Sequence, residues 1–287
     1  MKIIQSTEEM TQWSTQHRKA GHALALVPTM GFLHDGHLSL MKEGKHLGDR
    51  LVVSIFVNPT QFGPGEDLAT YPRNLERDFR LCRETGADAV FTPNTADLYP
   101  PGSDTFIFQQ KLPNHLCGLS RTGHFQGVMT IVAKLFNIVR PDVAVFGEKD
   151  FQQLAVIRRM VKDLNFNIRI VGHPTVRESD GLAMSSRNSK LSPDQRVTAQ
   201  CLNMALKIAQ GSLEKNITDA AILTKNAADF IQSHPETAID FITICDPDTL
   251  ENVSKIDKPV LMALAVKVGA TRLIDNMILH PNRTPQK

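Results

Sequence analysis

Over roughly the first 175 residues, short uninterrupted apolar runs alternate with stretches whose apolar positions repeat at helical spacing, and few folds accommodate that rhythm. HALALVP at 22–28, LVVSIFVN at 51–58, DAVFTP at 88–93, DVAVFG at 142–147 and NIRIVG at 167–172 read as strands. Between them, residues 37–49, 75–87, 125–140 and 150–164 read as helices; Leu75, Phe79 and Cys82 share one face of the second, and Pro141 stops the third. Strands that are apolar along their whole length need cover on both faces. A parallel sheet with right-handed helical crossovers provides it.

The rhythm changes near residue 176. Ser192 as N-cap and Pro193 at the first helical position open a helix to about Gly211, and a second helix covers 217–234. IDFITICD at 239–246 and the run 260–276 read as strands, the latter a hairpin turning near Gly269. The fold class predicted is α/β: a Rossmann-like doubly wound parallel sheet over 1–176, followed by a smaller α+β domain over 177–287.

Composition narrows the partners. The chain of 287 residues is 41% hydrophobic, enough for a sizeable core, and carries 32 basic against 30 acidic side chains, a net charge of +2. With no lysine or arginine run and only 6% aromatics, neither a nucleic-acid nor a membrane partner is expected. Cys82, Cys117, Cys201 and Cys245 form no C-x-x-C pair and read as reduced thiols of a cytoplasmic protein. The opening MKIIQSTEEMTQW lacks a signal-peptide core, and no apolar run approaches the ~18 residues of a membrane helix.

PTMGFLHDGHLSL, residues 28–40, joins the first of these strands to the first helix. In an open parallel sheet, ligands bind at the carboxyl ends of the strands, so this turn is where a site belongs. A helix beginning at Asp35 or Gly36 places His34 and His37 near its amino end on one side, where free N–H groups and the helix dipole favour phosphate. Gly36 lacks a Cβ and lets backbone approach a phosphate closely. The two imidazoles can donate hydrogen bonds to oxygens whose charge grows in a transition state. By itself H-x-x-H also suits half of a zinc site, although no third ligand sits at suitable spacing, or a pair of surface residues.

Further polar groups sit at strand ends and helix entrances. Asn58 and Gln61 flank Pro59 in FVNPTQF, where their amides either grip a hydroxyl or carboxylate or line a polar turn. RTGHFQGV at 121–128 places Arg121 and His124 ahead of a long apolar helix, the arginine being either solvated or an anion ligand. In GEKDFQQL at 147–154, Lys149 can neutralise phosphate charge, Asp150 can cap a helix or hold ribose hydroxyls, and Gln153 can reach inward. GLAMSSRNSKLS at 181–192 offers Ser185, Ser186 and Arg187 to phosphate oxygens; read alone, it fits a flexible linker between domains better.

H-x-G-H resembles the signature of the nucleotidyl-transferring superfamily that includes the class I aminoacyl-tRNA synthetases. The longer string PTMGFLHDGH resembles the pantothenate synthetase (pantoate–β-alanine ligase) family. FVNPTQF, RTGHFQGV, FGEKD and MSSRN are similar to further blocks of that family in the same order, and together they cover nearly the whole chain; the C-terminal portion is similar only in length and character. The resemblance implies an ATP site of Met30, Gly31, His34, Gly36, His37, Gly147, Glu148, Lys149, Asp150, Val176, Met184, Ser185, Ser186 and Arg187. It implies that Gln61, Gln153, Asn58 and Arg121 bind pantoate and β-alanine, and that His34, His37, Lys149 and Arg187 offset charge during catalysis.

The implied reaction condenses pantoate with β-alanine through a pantoyl adenylate, using ATP as substrate and Mg2+ on its phosphates, with Asp78 as a candidate metal ligand. A homodimer is implied as well. Because a mixed anhydride hydrolyses if water enters, the second domain is expected to act as a lid, with 181–190 as a moving segment. Two other functions share part of this sequence logic: a nucleotidylyltransferase of the same superfamily, and a non-catalytic nucleotide-binding module. FVNPTQF and the pair Gln61 and Gln153 favour a carboxylate substrate over the first of these.

Overall fold

The computed structural model describes residues 1–282, so the last five residues of the expected second domain lie outside the described chain. The described residues divide into two compact units: Met1–Gln110 with Arg121–Glu148 and Gln153–Thr175 in the first, and the chain from Val176 onward with Lys111–Ser120 and Lys149–Gln152 in the second.

The first unit is built on one sheet. Strands β1 (Lys2–Ile4), β2 (Leu24–Thr29), β3 (Arg50–Ile55), β4 (Ala89–Phe91), β5 (Val143–Gly147) and β6 (Arg169–His173) lie in the order β1-β4-β3-β2-β5-β6. Every pairing is parallel. Helices α1 (Thr7–Lys19), α2 (Asp35–Leu47), α3 (Leu75–Glu84), the short α4 (Thr95–Leu98) and, after the four-residue α5 (Cys117–Ser120) of the second unit, α6 (His124–Val139) and α7 (Phe151–Asp163) run between them. Leu51, Val52 and Val53 of β3 are fully buried, as expected of a strand covered on both sides. Helix α6 is buried along most of its length, and Arg140 in a left-handed conformation ends it just before Pro141.

The topology positions the site. From β2 the chain moves to β3 and β4 on one side, then returns through β5 and β6 on the other, so strand order reverses between β2 and β5. Their ladder holds only at Ala25↔Val143 and Leu26↔Ala144; beyond these positions β2 runs on to Thr29 beside β3 and β5 to Gly147 beside β6, no longer paired to each other. A crevice at such a reversal, outside the carboxyl ends of the strands, is where open α/β sheets bind ligands.

The second unit carries α8 (Pro193–Ala199), α9 (Cys201–Glu214) and α10 (Ala220–Gln232) with an antiparallel sheet of β7 (Thr237–Cys245), β8 (Val260–Val268) and β9 (Thr271–Leu279). Leu202, Leu206, Leu223 and Ile231 of the helices pack with Met262, Leu264 and Leu273 of the sheet. Ser192 and Gln195 form a reciprocal capping box that starts α8. The single helix read from Ser192 to Gly211 is two, separated at Gln200. The hairpin turns at Gly269, whose φ of +56° suits a residue without a side chain.

Candidate active site

The turn after β2 is held in an unusual shape by α3. Gly31 (φ +81°) and Phe32 (φ +50°) both adopt left-handed backbone, a conformation that costs a bulky residue such as phenylalanine free energy. The Phe32 and Leu33 N–H groups donate to the two carboxylate oxygens of Asp78, each at 2.8 Å. Arg77 donates to the Leu33 carbonyl at 2.7 Å and lies over the Phe32 ring, 5.6 Å from its centroid. Asp78 is fully buried with both oxygens already accepting backbone N–H groups, so it is poorly fitted to be the metal ligand considered from the sequence.

That turn delivers His34 as N-cap of α2, so the helix starts at Asp35 and carries His37 in its first turn. The imidazole centroids are 4.0 Å apart. The His34 backbone N–H donates to His37 Nδ1 at 3.3 Å, which fixes the neutral His37 tautomer with its proton on Nε2. Met30 precedes this arrangement, and its sulfur accepts a hydrogen bond from Gln61 Nε2 at 3.0 Å.

Gln61 comes from the segment following β3. Asn58, nearly fully buried, donates from Nδ2 to Gln61 Oε1 and to the Gly127 carbonyl, both at 3.1 Å. The Gln61 amide is thereby oriented with its carbonyl toward Asn58 and an N–H on Met30, and its second N–H has no partner among the described residues. Helix α6 presses on this segment: a Cβ at Gly127 would overlap the Thr60 carbonyl and lie 2.6 Å from Gln61 N. His124, at the start of α6, donates from Nδ1 to the Gln61 carbonyl at 2.8 Å, and its Nε2 accepts from Arg121 at 2.9 Å. Arg121 forms a two-pronged pair with Glu66, at 2.8 and 2.7 Å. The guanidinium hydrogen bonds hold the Glu66 carboxyl below the ordinary glutamate value despite its partial burial.

Gly147 ends β5 opposite His173 of β6, and Glu148 lies close to Gly172. Gln153 is half-buried, and its amide has no hydrogen-bond partner among the described residues. Lys149 and Asp150 belong to the second unit. Lys149 is half-buried with no counter-ion for its ammonium among the described residues, while Asp150 is exposed.

The 176–190 stretch is an ordered turn, not a featureless linker. Met184 N–H donates to the Val176 carbonyl and Glu178 N–H to that of Leu182, both at 2.9 Å, with Gly181 at φ +89° between them. Arg177 donates to both carboxylate oxygens of the buried Asp275 at 2.7 and 2.9 Å, tying the turn to β9. Ser185 Oγ accepts from Arg187 N at 3.3 Å and starts the short 3-10 turn 186–190. Thus Val176, Met184, Ser185 and Arg187 are gathered within one local structure.

Within the first unit the structure brings Met30 to Gln61, His34 to His37, and Arg121 through His124 to Gln61. Sequence reasoning missed the roles of Arg77 and Asp78, the Glu66 partner of Arg121, and the Arg177–Asp275 tie. It also missed Gln152, which binds the Leu112 and His115 carbonyls and the Cys117 N–H. The available signal for Asp78 was an acidic residue in the apolar stripe of Leu75, Phe79 and Cys82.

A parallel sheet with paired histidines at a helix amino end beside its reversal point, and oriented amides at the neighbouring strand end, defines a nucleotide-using α/β enzyme. Its relatives narrow that class. The profile of the pantoate-β-alanine ligase family matches residues 2–278. Pantothenate synthetase of Desulforapulum autotrophicum is 56% identical over 99% of this chain and 100% of its own length. The pantothenate synthetase structure from Thermus thermophilus superposes with a TM-score of 0.91 at 41% identity, over 98% of this chain and 100% of that one. Pantoate-β-alanine ligase from Francisella tularensis, solved as a complex with β,γ-ATP and β-alanine, gives 0.80 at 33% identity over 97% of each chain. The chain belongs to the pantoate-β-alanine ligase family.

Proposed function

We propose that this chain condenses pantoate with β-alanine at the expense of ATP, giving pantothenate, AMP and pyrophosphate. The observation that carries the reading is the junction of two strand ends: the His34–His37 pair at the start of α2, reached through Met30, whose sulfur receives the oriented Gln61 amide. Phosphate chemistry and recognition of a small hydroxy acid thereby meet on adjacent strands of one sheet.

In the first step, the pantoate carboxylate attacks the α-phosphorus of ATP and pyrophosphate leaves. Charge grows on non-bridging and leaving oxygens, and His37 meets it with the proton on Nε2 while its Nδ1 is held by His34 N–H. The positive end of the α2 helix dipole adds to this. Lys149, with no counter-ion among the described residues, and Arg187 are assigned to the phosphates. Gln61 and Gln153 are assigned to pantoate, with Asn58 fixing the direction of the Gln61 amide. In the second step, the amine of β-alanine attacks the acyl carbon of the mixed anhydride, AMP departs, and the amine loses a proton. Positioning and electrostatics supply the rate, because the protein forms no bond to the substrates.

Among the described residues no group of three or more His, Cys, Asp or Glu side chains is placed to hold a metal ion. Mg2+ is assigned to the ATP phosphates, its usual ligands together with water, where it would offset charge on the leaving pyrophosphate. No helix among the described residues is long and apolar enough to cross a membrane. A cytoplasmic homodimer, with an ATP- and pantoate-binding domain over 1–176 and a smaller α+β domain over 177–287, completes the reading.

The test is product analysis with the purified chain, ATP, Mg2+, pantoate and β-alanine. Pantothenate and AMP forming in equal amounts, each dependent on all three substrates, is the expected result. AMP transfer to a phosphate compound with no need for β-alanine would replace this reading with a nucleotidylyltransferase. ATP binding without turnover would replace it with a nucleotide-binding module.

A further inference from the structure

Asp78 has no role in the chemistry just described, yet its carboxyl group is fully buried, and a buried polar group needs hydrogen-bond partners. Its two oxygens each accept one backbone N–H at 2.8 Å, from Phe32 and Leu33, two consecutive residues of the turn that ends in His34. The first of these has left-handed backbone, costly for a phenylalanine, and the preceding Gly31 shares that conformation. A Cβ at Gly31 would meet Asp78 Oδ2 and Ile55 Cγ2, each at 3.0 Å, so the turn lies directly against the carboxylate. The neighbouring Arg77 takes the Leu33 carbonyl and covers the Phe32 ring. The Phe32 and Leu33 donors, the Leu33 acceptor and the Phe32 ring are therefore held by two consecutive residues of α3, while the Gly31 N–H donates to Thr29 Oγ1 at 3.2 Å.

We infer that Asp78, assisted by Arg77, is a positioning residue that holds the 31–33 turn in its high-energy shape and so sets the His34 N-cap and the His37 imidazole. The inference rests on the ligase reading and deepens it. An aspartate is suited to the task because an ionised carboxylate accepts at both oxygens, whereas an amide offers one acceptor and one donor group. Asp78→Asn therefore sets an N–H against an N–H at Phe32 or Leu33. The turn then loses one anchor and gains a repulsive contact.

This role differs measurably from that of a magnesium ligand. The experiment measures pantothenate formation by full-length wild type, Asp78→Asn and Arg77→Gln across a Mg2+ titration, alongside thermal unfolding of each. Wild-type turnover is the control for the reaction itself: its absence would sink the ligase reading and not this one. With wild type active, the expected result is at least a tenfold lower kcat for Asp78→Asn at saturating Mg2+. The Mg2+ concentration for half-maximal rate stays within twofold of wild type, and Arg77→Gln shows a smaller fall in kcat. Full recovery of Asp78→Asn at high Mg2+ would make Asp78 a metal ligand and overturn the inference. So would a folded Asp78→Asn with wild-type kcat. If Asp78→Asn does not fold, Arg77→Gln decides: unchanged kcat in a folded Arg77 variant contradicts the inference.

Discussion

Gln61 donates from Nε2 to the sulfur of Met30 at 3.0 Å, joining the segment after β3 to the histidine turn after β2. The contact gives the two halves of the proposed chemistry a fixed relationship. In the proposed reaction, phosphate is met at the helix start and the hydroxy acid beside it.

His37 is expected to carry much of the rate of adenylate formation. His37→Ala should lower kcat about 10²–10³-fold, the usual cost of removing a hydrogen-bond donor aimed at developing charge. The tautomer adds a finer expectation. Glutamine places an N–H donor near the position of Nε2 and asparagine near that of Nδ1, so His37→Gln should retain more activity than His37→Asn. Single-turnover quench measurements check both, and the reverse order would contradict the assigned tautomer.

Asn58 acts through Gln61. Asn58→Leu removes the donor that fixes the Gln61 carbonyl and leaves that carbonyl and the Gly127 carbonyl each short of a partner. A stability loss of about 1–3 kcal/mol is expected. The KM for pantoate should rise about tenfold, equivalent to about 1.4 kcal/mol, while the KM for ATP changes little. Equal rises in both would place Asn58 outside the pantoate site.

Glu66 carries a pH signature. Its carboxyl is held below the ordinary glutamate value by Arg121, so the pair's stabilising contribution is present above that value and fades as pH falls through the lower, folded-state value. Glu66→Gln should therefore lower stability near neutrality and flatten the loss of stability on acidification. Urea unfolding from pH 7 downward measures it; parallel wild-type and variant profiles would show that the pair contributes nothing. The pair is partly exposed, so the difference should be small.

Thiol reactivity tests the packing of both units. Burial pushes Cys82 and Cys245 up to about 12 and Cys201 up to about 11, whereas Cys117 is half-buried with Arg272 at 3.5 Å from its sulfur. An aromatic disulfide reagent should label one thiol per native chain, Cys117, and four after denaturation. Rapid labelling of Cys82 in the native protein would contradict the packing of α3 on the sheet.

Much of this arrangement was legible because its causes are local. The apolar runs at 51–58 and 142–147 fix β3 and β5, and the placement of His34 and His37 followed from where α2 had to start. Strand β1, only three residues long, and α1 escaped notice because Lys2–Ile4 offers too short a run to signal a strand. The supports of the site were hidden for a different reason. Asp78 acts on residues 45 and 46 positions away, His124 on one 63 away, and Arg177 on one 98 away. No periodicity in a single sequence encodes such pairings. The serine-rich stretch at 181–192 reads locally as a linker, because the Val176–Met184 pairing and the Asp275 anchor that order it exist only in three dimensions.

The most direct test of the central claim is exchange of labelled pyrophosphate into ATP, measured with Mg2+ and pantoate but without β-alanine. An enzyme that forms pantoyl adenylate reversibly will incorporate label only when pantoate is present, and His37→Ala will suppress it. Incorporation that ignores pantoate, or none at all from an enzyme that still makes pantothenate, would contradict the adenylate route.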